Sequence, residues 1–421
     1  MLLRHRYADP PRTDRRRARD LRDRGEAWRR LPRISFAGGH DRGGGRGRTL
    51  LHGLLLGRVP CPSGRRGERP RVPRGAPSLL RVATDERLLR LPKAELHVHL
   101  DGSLRPDTLL ELAVERGVAL PASEASALAQ RMVGRDAVDL EDYLEPFRLT
   151  LAVMQEAAAI ERIAYELAED HARETVRWLE VRFCPGLCAT GGLSPEEVLD
   201  AALAGLTRAR REHGIESAVI VTALRTLPAS ASVEMAELAV AYRERGVCAF
   251  DLAGAEAGHP VRDHVDAVRV AREGGLPRTT HAGEGFGPAS IREALELGDA
   301  SRIGHGTRLA EDAELLARVR DAGVVLEVCL TSNVQTHAAA SYAAHPLRRF
   351  YDEGVRVSLC TDNRLMSGVT LTREYQNARD FLGFTWDELV DVARTGFVSA
   401  YAPVPVKDAL LVRFDAEVAR L

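Results

Sequence analysis

The segment Glu95-Leu96-His97-Val98-His99-Leu100-Asp101-Gly102 combines an apolar strand pattern with three evenly spaced polar side chains. Because side chains alternate along a β-strand, His97, His99 and Asp101 share one face and the aliphatic residues share the other. Three polar groups on one face of an apolar strand are costly in a core unless that face meets a metal ion or a substrate. Two histidines do not complete a zinc site, so the segment indicates a metal centre only if further ligands lie elsewhere in the chain.

Eight short apolar runs follow one another from residue 91 onward, with longer amphipathic stretches between them. The runs are 94–100, 177–183, 217–223, 247–253, 278–282, 302–306, 324–330 and 355–360. Two of the intervening stretches, 195–213 and 233–245, are predicted helices with Ser194 and Ser232 as their N-caps. Eight alternations of strand and helix predict an α/β fold, a TIM (β/α)8 barrel. A helical insertion after the first strand, residues 105–173, is expected to act as a lid over the barrel mouth.

Reactive side chains stand at the carboxyl ends of the predicted strands, where active sites of this fold are built. We expect one mononuclear zinc ion per chain, because imidazole and carboxylate ligands without cysteine are typical of a catalytic zinc site with an open water position. The predicted metal ligands are His97, His99, His281 and Asp362. Glu284 and His305 are left over as candidates for acid and base chemistry.

At these positions the chain resembles the adenosine deaminase family of metal-dependent hydrolases. The matching segments are 92–103, 281–284, 302–307, 329–336 and 358–363, and the resemblance covers about residues 88–400. It implies a zinc-dependent hydrolase that converts adenosine or 2′-deoxyadenosine to inosine or 2′-deoxyinosine and ammonia, in purine salvage and nucleoside catabolism. By the same resemblance, Glu284 donates a proton to purine N1, His305 orients and helps to deprotonate the water, and Asp362 accepts a hydrogen bond from that water.

The resemblance also implies which residues contact a purine nucleoside. His99 and Asp101 would face the substrate, and an acceptor at Asp101 suits ribose hydroxyls, whereas related adenine deaminases typically carry glutamate there. Gly254 matches a glycine whose N–H approaches purine N3. Asn363 stands where many members have aspartate, and its amide can donate to N7 without first binding a proton. AMP is less favoured, because no phosphate-binding glycine loop lies near the motifs, but residues such as Arg105 offer a cation for a phosphate and keep AMP as an alternative.

One helix face in the insertion carries apolar side chains at positions i, i+3, i+4 and i+7. These side chains are Leu140, Tyr143, Leu144 and Phe147. Such a stripe predicts either ordinary packing or a lining for the purine pocket that excludes water. Both interpretations stay open at this point.

The first 85 residues differ in composition from the rest, since residues 1–80 hold 21 arginines against seven acidic residues and are rich in glycine and proline. We expect this leader to be disordered, or to be an upstream translation of a protein that starts near Val82. A nucleic-acid or targeting arm is less favoured, because the leader lacks interleaved aromatics and is poor in serine. Residues 86–421 are predicted to form the deaminase barrel.

Composition narrows the remaining classes. The 421 residues are 45% hydrophobic, and the leader holds no apolar run approaching the roughly 20 residues that span a bilayer. Six cysteines without a Cys-x-x-Cys pair predict a reduced, cytoplasmic protein. The His-x-Glu and Pro-Cys-x-x-Cys pattern of the cytidine deaminases is absent. We expect neither a nucleic-acid nor a membrane partner, and the sequence leaves protein partners open. A barrel that has lost catalysis is disfavoured, because every ligand and both acid and base candidates are present.

Overall fold

A computed structural model describes residues 85–134, 137 and 140–421 of the chain. Apart from Asp85, the predicted leader lies outside the described residues, so its disorder and the boundary at residue 86 stay predictions. Eight parallel strands form one sheet in the order of the sequence. The strands are β1 (Lys93–His99), β2 (Val176–Phe183), β3 (Glu216–Leu224), β4 (Val247–Ala253), β5 (Arg278–Ala282), β6 (Arg302–His305), β7 (Val325–Val328) and β8 (Arg356–Leu359).

The sheet closes on itself between its first and last strands. Val98 forms a parallel bridge with Asp362, just beyond β8. On either side of the bridge, the Asp362 N–H donates to the His97 carbonyl at 2.8 Å and the His99 N–H donates to the Asp362 carbonyl at 2.7 Å. The backbone contacts that close the barrel therefore also bring three predicted metal ligands together. The predicted TIM barrel is confirmed.

Seventeen α-helices surround or follow the strands in the described part of the chain. They are α1 (Glu86–Arg90), α2 (Pro106–Arg116), α3 (Ala125–Met132), α4 (Leu140–Leu144), α5 (Phe147–Val153), α6 (Ala157–Arg173), α7 (Pro195–His213), α8 (Ala229–Ala241), α9 (Val265–Glu273), α10 (Pro288–Glu296), α11 (Ala313–Asp321), α12 (Leu330–Gln335), α13 (Leu347–Asp352), α14 (Arg364–Ser367), α15 (Leu371–Leu382), α16 (Trp386–Ser399) and α17 (Val404–Val418). Five of them, α2 to α6, make up the insertion after β1.

The two predicted N-caps have different outcomes. Ser194 caps α7 in a capping box with Glu197, as its position before an acidic first turn indicates. Ser232 is wrong as a cap, because α8 begins at Ala229 and Ser232 lies inside the helix, buried. Its hydroxyl instead forms a 2.8 Å hydrogen bond with His264 Nδ1. A buried polar partner thus replaces the capping role that the local sequence suggested.

The helices cover the outer face of the barrel with buried aliphatic side chains. Where α16 packs on β1 and β8, Gly396 allows the closest approach, since an added Cβ would lie 3.1 Å from Ser358 Oγ and 3.2 Å from Ala94 Cβ. β1 itself is buried on both faces, with Leu96 and Val98 fully enclosed. Burial of each such side chain contributes about 1.5–3 kcal/mol. Within the described residues, no helix has both the length and the apolar character needed to cross a membrane.

Candidate active site

Four predicted metal ligands converge at the carboxyl end of the barrel. One nitrogen from each of His97, His99 and His281 and one oxygen of Asp362 lie within 4.8 Å of one another. The His99 and His281 Nε2 atoms face each other at 3.1 Å, while Asp362 Oδ1 lies 3.4 Å from His99 Nε2 and 3.5 Å from His97 Nε2. Three imidazoles and a carboxylate around one point form a donor set that fits a divalent metal ion.

His97 is held from behind by a carboxylate on the neighbouring side of the barrel. Its Nδ1 lies 2.9 Å from Glu327 Oε2 on β7, and both side chains are fully buried. With Nδ1 bonded to a carboxylate, the lone pair is on Nε2, which is buried without a hydrogen-bond partner among the described residues. Gly304 leaves room for the ring, since a Cβ there would lie 3.0 Å from His97 Cε1. An orphaned buried nitrogen aimed at three other donors is what a metal ligand requires.

His281 has an equivalent support on β4. Its Nδ1 lies 3.1 Å from Asp251 Oδ1, and Asp251 also accepts from Arg182 at 3.3 Å. Although burial acts in the opposite direction, His281 and Arg182 hold the pKa of Asp251 well below its usual range. Burial lowers the pKa of His281 and of His99. Both rings are therefore neutral at neutral pH, which is the form that binds a metal.

Asp362 is placed by an unusual backbone conformation. Its φ of 59° lies in the left-handed region, which costs a residue with a Cβ about 1 kcal/mol or more. The two backbone bonds that close the barrel hold this conformation. Ser332 donates its hydroxyl to Asp362 Oδ2 at 2.6 Å, so Oδ1 is the oxygen that faces the histidines. Despite burial, the surrounding imidazoles keep the pKa of Asp362 below its usual range.

Glu284 lies beside the ligand cluster on the loop that follows β5. The backbone N–H groups of Gly283, Glu284 and Gly285 all donate to the Glu256 carboxylate, each at 2.9 Å. A carboxylate that accepts three N–H bonds holds the loop rigidly and aims the Glu284 side chain into the barrel mouth. The Glu284 carboxyl is buried and lies 3.4 Å from His305 Nε2.

His305, the last residue of β6, is the second acid or base candidate, and its backbone is in a left-handed conformation with φ of 64°. The Asn333 amide nitrogen lies 2.9 Å from His305 Nδ1, so Nε2 faces the site. The ring centroid is 4.9 Å from that of His97 and 5.3 Å from that of His281. The structure therefore brings both candidates against the predicted metal ligands, although their catalytic roles stay predictions.

A cavity opens over this cluster and is closed in part by the insertion. Of the predicted site residues, those lining it are His99, Asp101, Gly254, His281, Glu284, His305, Asp362 and Asn363. The predicted stripe on the insertion also lines it, through Leu140, Tyr143, Leu144 and Phe147. These residues belong to α4 and α5, so the stripe faces the cavity as well as the core. An apolar cover over a polar floor suits a flat aromatic ligand.

The residues predicted to contact the substrate differ in whether their polar atoms already have hydrogen-bond partners in the protein. Asp101 Oδ1 is buried and has no hydrogen-bond partner within the described chain, and burial raises the pKa of Asp101 to about 7. Gly254 has a φ of 93° that other residues rarely adopt. The Asn363 amide donates to Tyr143 Oη at 3.3 Å, and Tyr143 Oη lies 2.8 Å from Ser367 Oγ. Asn363 is thus tied to the insertion in addition to lining the cavity.

Arg105 does not supply the cation that an AMP phosphate would need. Its guanidinium is bonded to α6, at 2.6 Å from both Asp170 Oδ1 and Glu169 Oε2. Asp170 also accepts from Nε at 2.9 Å. Arg105 does not line the cavity, and among the described lining residues there is neither a lysine nor an arginine. The sequence-based argument that kept AMP open through this residue is therefore wrong.

Sequence reasoning missed the layer of charges beneath the ligands. Arg182 and Arg302, both buried, fill the barrel interior and bind Glu327 at 2.8 and 2.7 Å. Glu327 is a charged residue within an apolar strand, and this break in the pattern could have indicated a buried role for it. Its partner His97 lies 230 residues away, so the sequence does not reveal the pairing itself. Four more supporting residues lie within or near the sequence motifs, but sequence reasoning assigned no role to them: Asp251, Glu256, Ser332 and Asn333.

Comparisons with known proteins agree with this geometry. The family profile described as adenosine deaminase matches residues 92–417. An adenosine deaminase from Mycobacteroides abscessus is 42% identical over 342 residues, covering 77% of this chain and 94% of the relative. A probable adenosine deaminase from Dictyostelium discoideum is 40% identical over 319 residues; the match covers 75% of this chain and only 41% of that longer protein.

Solved structures share the fold at lower identity. An adenine deaminase from Arthrobacter aurescens has a TM-score of 0.72 at 27% identity, with 78% of this chain and 98% of that chain covered. The N6-methyl-AMP deaminase from Arabidopsis thaliana has a TM-score of 0.70 at 28% identity, covering 79% and 98%. An amidohydrolase from Burkholderia ambifaria, solved with bound Zn, has a TM-score of 0.73 at 26% identity, covering 82% and 96%. With its barrel, its clustered ligands and the profile match, the chain belongs to the adenosine deaminase family.

Proposed function

We propose that this chain is an adenosine deaminase that hydrolyses adenosine and 2′-deoxyadenosine to inosine and 2′-deoxyinosine in purine salvage and nucleoside catabolism. In the reaction a water oxygen bonds to purine C6, the bond from C6 to the amino nitrogen breaks, and ammonia leaves. The observation that carries the proposal is the convergence of His97, His99, His281 and Asp362 next to Glu284 and His305. Relatives named adenosine deaminase at about 40% identity support it.

The metal that we propose is one zinc ion per chain. The donor set favours it, because three imidazoles and one carboxylate are typical of catalytic zinc, and the buried His97 Nε2 has no hydrogen-bond partner in the described residues. When bound, zinc supplies Lewis acidity that brings the pKa of a neighbouring water toward neutrality. The Zn that accompanies a structural neighbour is consistent with this choice.

The residues of the chain then have three roles: protonation of the purine, positioning of the attacking water and exclusion of bulk water. Glu284, fixed through the three N–H bonds of its loop to Glu256, holds the proton for purine N1, and protonation there makes C6 electrophilic. Asp362 presents Oδ1 because Ser332 occupies Oδ2, and that oxygen accepts from the attacking water. His305 orients the same water. α4 and α5 exclude bulk water from the cavity.

We infer a nucleoside substrate in preference to a nucleotide or a free base. The unpartnered Asp101 oxygen offers an acceptor for a ribose hydroxyl. Arg105 is held by Asp170, and the lining residues within the described chain supply no cation for a phosphate. A free base would leave the buried Asp101 oxygen without a partner, which is unfavourable. A cytoplasmic location stays a prediction; the five described cysteines are free.

A substrate panel on purified, metal-analysed protein tests the proposal. Adenosine, 2′-deoxyadenosine, adenine, AMP and N6-methyl-AMP are compared by the change in purine absorbance together with the release of ammonia, or of methylamine from N6-methyl-AMP. We expect the kcat/KM for the nucleosides to exceed that for adenine and AMP by at least roughly a hundredfold. Adenine lacks the sugar hydroxyl that the buried site would bind, and the described lining residues offer no cation for the phosphate of AMP. A preference for adenine or AMP would refute the nucleoside assignment.

A further inference from the structure

A chain of buried hydrogen bonds runs from the backbone of α13 to His305. The Leu347 N–H lies 3.1 Å from His345 Nδ1, and His345 Nε2 lies 3.1 Å from Asn333 Oδ1. The Asn333 amide nitrogen then lies 2.9 Å from His305 Nδ1. The three side chains are at most 3% exposed, so water does not compete for these bonds.

The direction of every hydrogen bond in this chain follows from the first one, which the Leu347 N–H donates. A backbone N–H can only donate, so His345 Nδ1 accepts and the His345 proton is on Nε2. His345 Nε2 therefore donates to Asn333, which must present its carbonyl oxygen to that nitrogen. The Thr307 hydroxyl, 2.9 Å from the same oxygen, supplies a second donor. Burial lowers the pKa of His345 to about 3, in keeping with a neutral ring.

The orientation of the amide decides which His305 nitrogen carries hydrogen. Asn333 turns its NH2 group toward His305 Nδ1, so that nitrogen must accept. The hydrogen of the neutral ring is then on Nε2, the atom that faces Glu284 at 3.4 Å and the ligand cluster. A ring with hydrogen on Nε2 donates toward the water site and has no lone pair there to take a proton.

We propose that Asn333, oriented by His345, is a positioning residue that fixes His305 as a hydrogen-bond donor and not as a general base. This inference rests on the proposed function, because it concerns how the attacking water is held. It differs from the expectation, drawn from the family resemblance, that His305 helps to deprotonate the water. The proton that the water releases goes to the Glu284 carboxylate, which can take it once Glu284 has given its own proton to purine N1, while His305 Nε2–H stabilises the negative charge that develops on the oxygen.

Asn333→Asp tests the proposal, because it replaces the NH2 group by an acceptor of the same shape. The carboxylate still accepts from His345 and Thr307, but it also requires a hydrogen on His305 Nδ1. We expect kcat to fall by roughly a hundredfold or more, as for the loss of one donor to a developing oxyanion. KM for adenosine and the zinc content should stay near those of the parent, a split that a merely structural role would not give.

A general-base role makes the opposite prediction. An aspartate behind a histidine raises the basicity of the ring, so Asn333→Asp would then keep or increase kcat. Activity within a few fold of the parent overturns the proposal. Asn377→Asp is the matched control, since it introduces a carboxylate at another buried amide that bonds Thr331 and does not touch His305; its folded, zinc-loaded form should retain kcat.

A neutron crystal structure of the unmodified zinc enzyme decides the matter even if Asn333→Asp does not fold. We expect deuterium on His305 Nε2 and on His345 Nε2, and none on either Nδ1. Deuterium on His305 Nδ1 overturns the proposal. Because this measurement does not depend on turnover, its result is separate from that of the substrate panel. Failure to deaminate adenosine would refute the proposed function. The tautomer assigned to His305 would then be tested by the neutron map alone.

Discussion

Asp251→Asn should weaken zinc binding without removing any proposed ligand. In the parent, Asp251 Oδ1 accepts from His281 Nδ1 at 3.1 Å, and Oδ2 accepts from Arg182 Nη1 at 3.3 Å and from the Thr222 hydroxyl at 3.4 Å. An asparagine has only one oxygen for these three donors. Because Arg182 is buried and charged, we expect the amide oxygen to turn toward it.

The consequence for His281 sets the size of the effect. With the NH2 group toward His281 Nδ1, the ring either loses its hydrogen-bond partner or moves its hydrogen to Nε2, the atom that faces His99 at 3.1 Å. Loss of a bond to a charged partner costs about 1.5–3 kcal/mol, and loss of the carboxylate behind a metal-binding histidine typically costs 10–100-fold in affinity. We therefore expect zinc affinity to fall by roughly 10–100-fold.

Competition with a chromophoric chelator at neutral pH measures the zinc dissociation constant of each variant. Thr222→Val is the matched control, because it removes one donor from Asp251 and leaves the carboxylate on His281; its zinc affinity should change by less than roughly threefold. Thermal unfolding in excess zinc separates misfolding from weak binding. Equal zinc affinity in Asp251→Asn and the parent would refute the argument that Asp251 orients His281.

Three further outcomes are expected. Glu284→Gln should bind zinc normally and lose roughly a hundredfold or more in kcat, because the amide cannot donate the N1 proton; near-normal turnover in an adenosine assay would rule that role out. Burial raises the pKa of Glu374 to about 7, so the folded state keeps a proton that the unfolded state releases at lower pH, and this contribution to stability is lost as pH rises toward 7. Glu374→Gln, which is neutral at every pH, should gain stability relative to the parent by up to about 3 kcal/mol between pH 5 and 8 in urea unfolding; a constant difference would contradict the shift. Removal of residues 1–81 should leave unfolding temperature and activity unchanged, and loss of either would show that the leader is structural.

The barrel could be predicted because each strand coincides with a short apolar run that is visible in the local sequence. β4 and β5 have the predicted bounds, and β7 is shorter because α12 begins at Leu330, inside the apolar run. An apolar run alone does not distinguish the end of a strand from the start of a buried helix. The Ser232 cap failed for a related reason: its partner His264 lies 32 residues away.

The site was accessible to sequence reasoning only in its innermost layer. In a barrel, histidines and acidic residues at the carboxyl ends of strands can be recognised as candidate site residues from their position alone. The structure places the four predicted ligands together. The groups that orient them, such as Glu327 behind His97 and Asn333 behind His305, are defined by contacts between strands. Those contacts depend on side-chain direction and register, which a single sequence does not reveal.

Zinc titration of metal-free protein, followed by adenosine deamination, tests the central claim most directly. We predict that chelator-treated protein is inactive and that activity rises linearly until one equivalent of zinc per chain is bound. Inosine and ammonia should form in equal amounts at every point. Full activity in the metal-free protein, or a requirement for more than one ion per chain, would contradict a single zinc centre formed by His97, His99, His281 and Asp362.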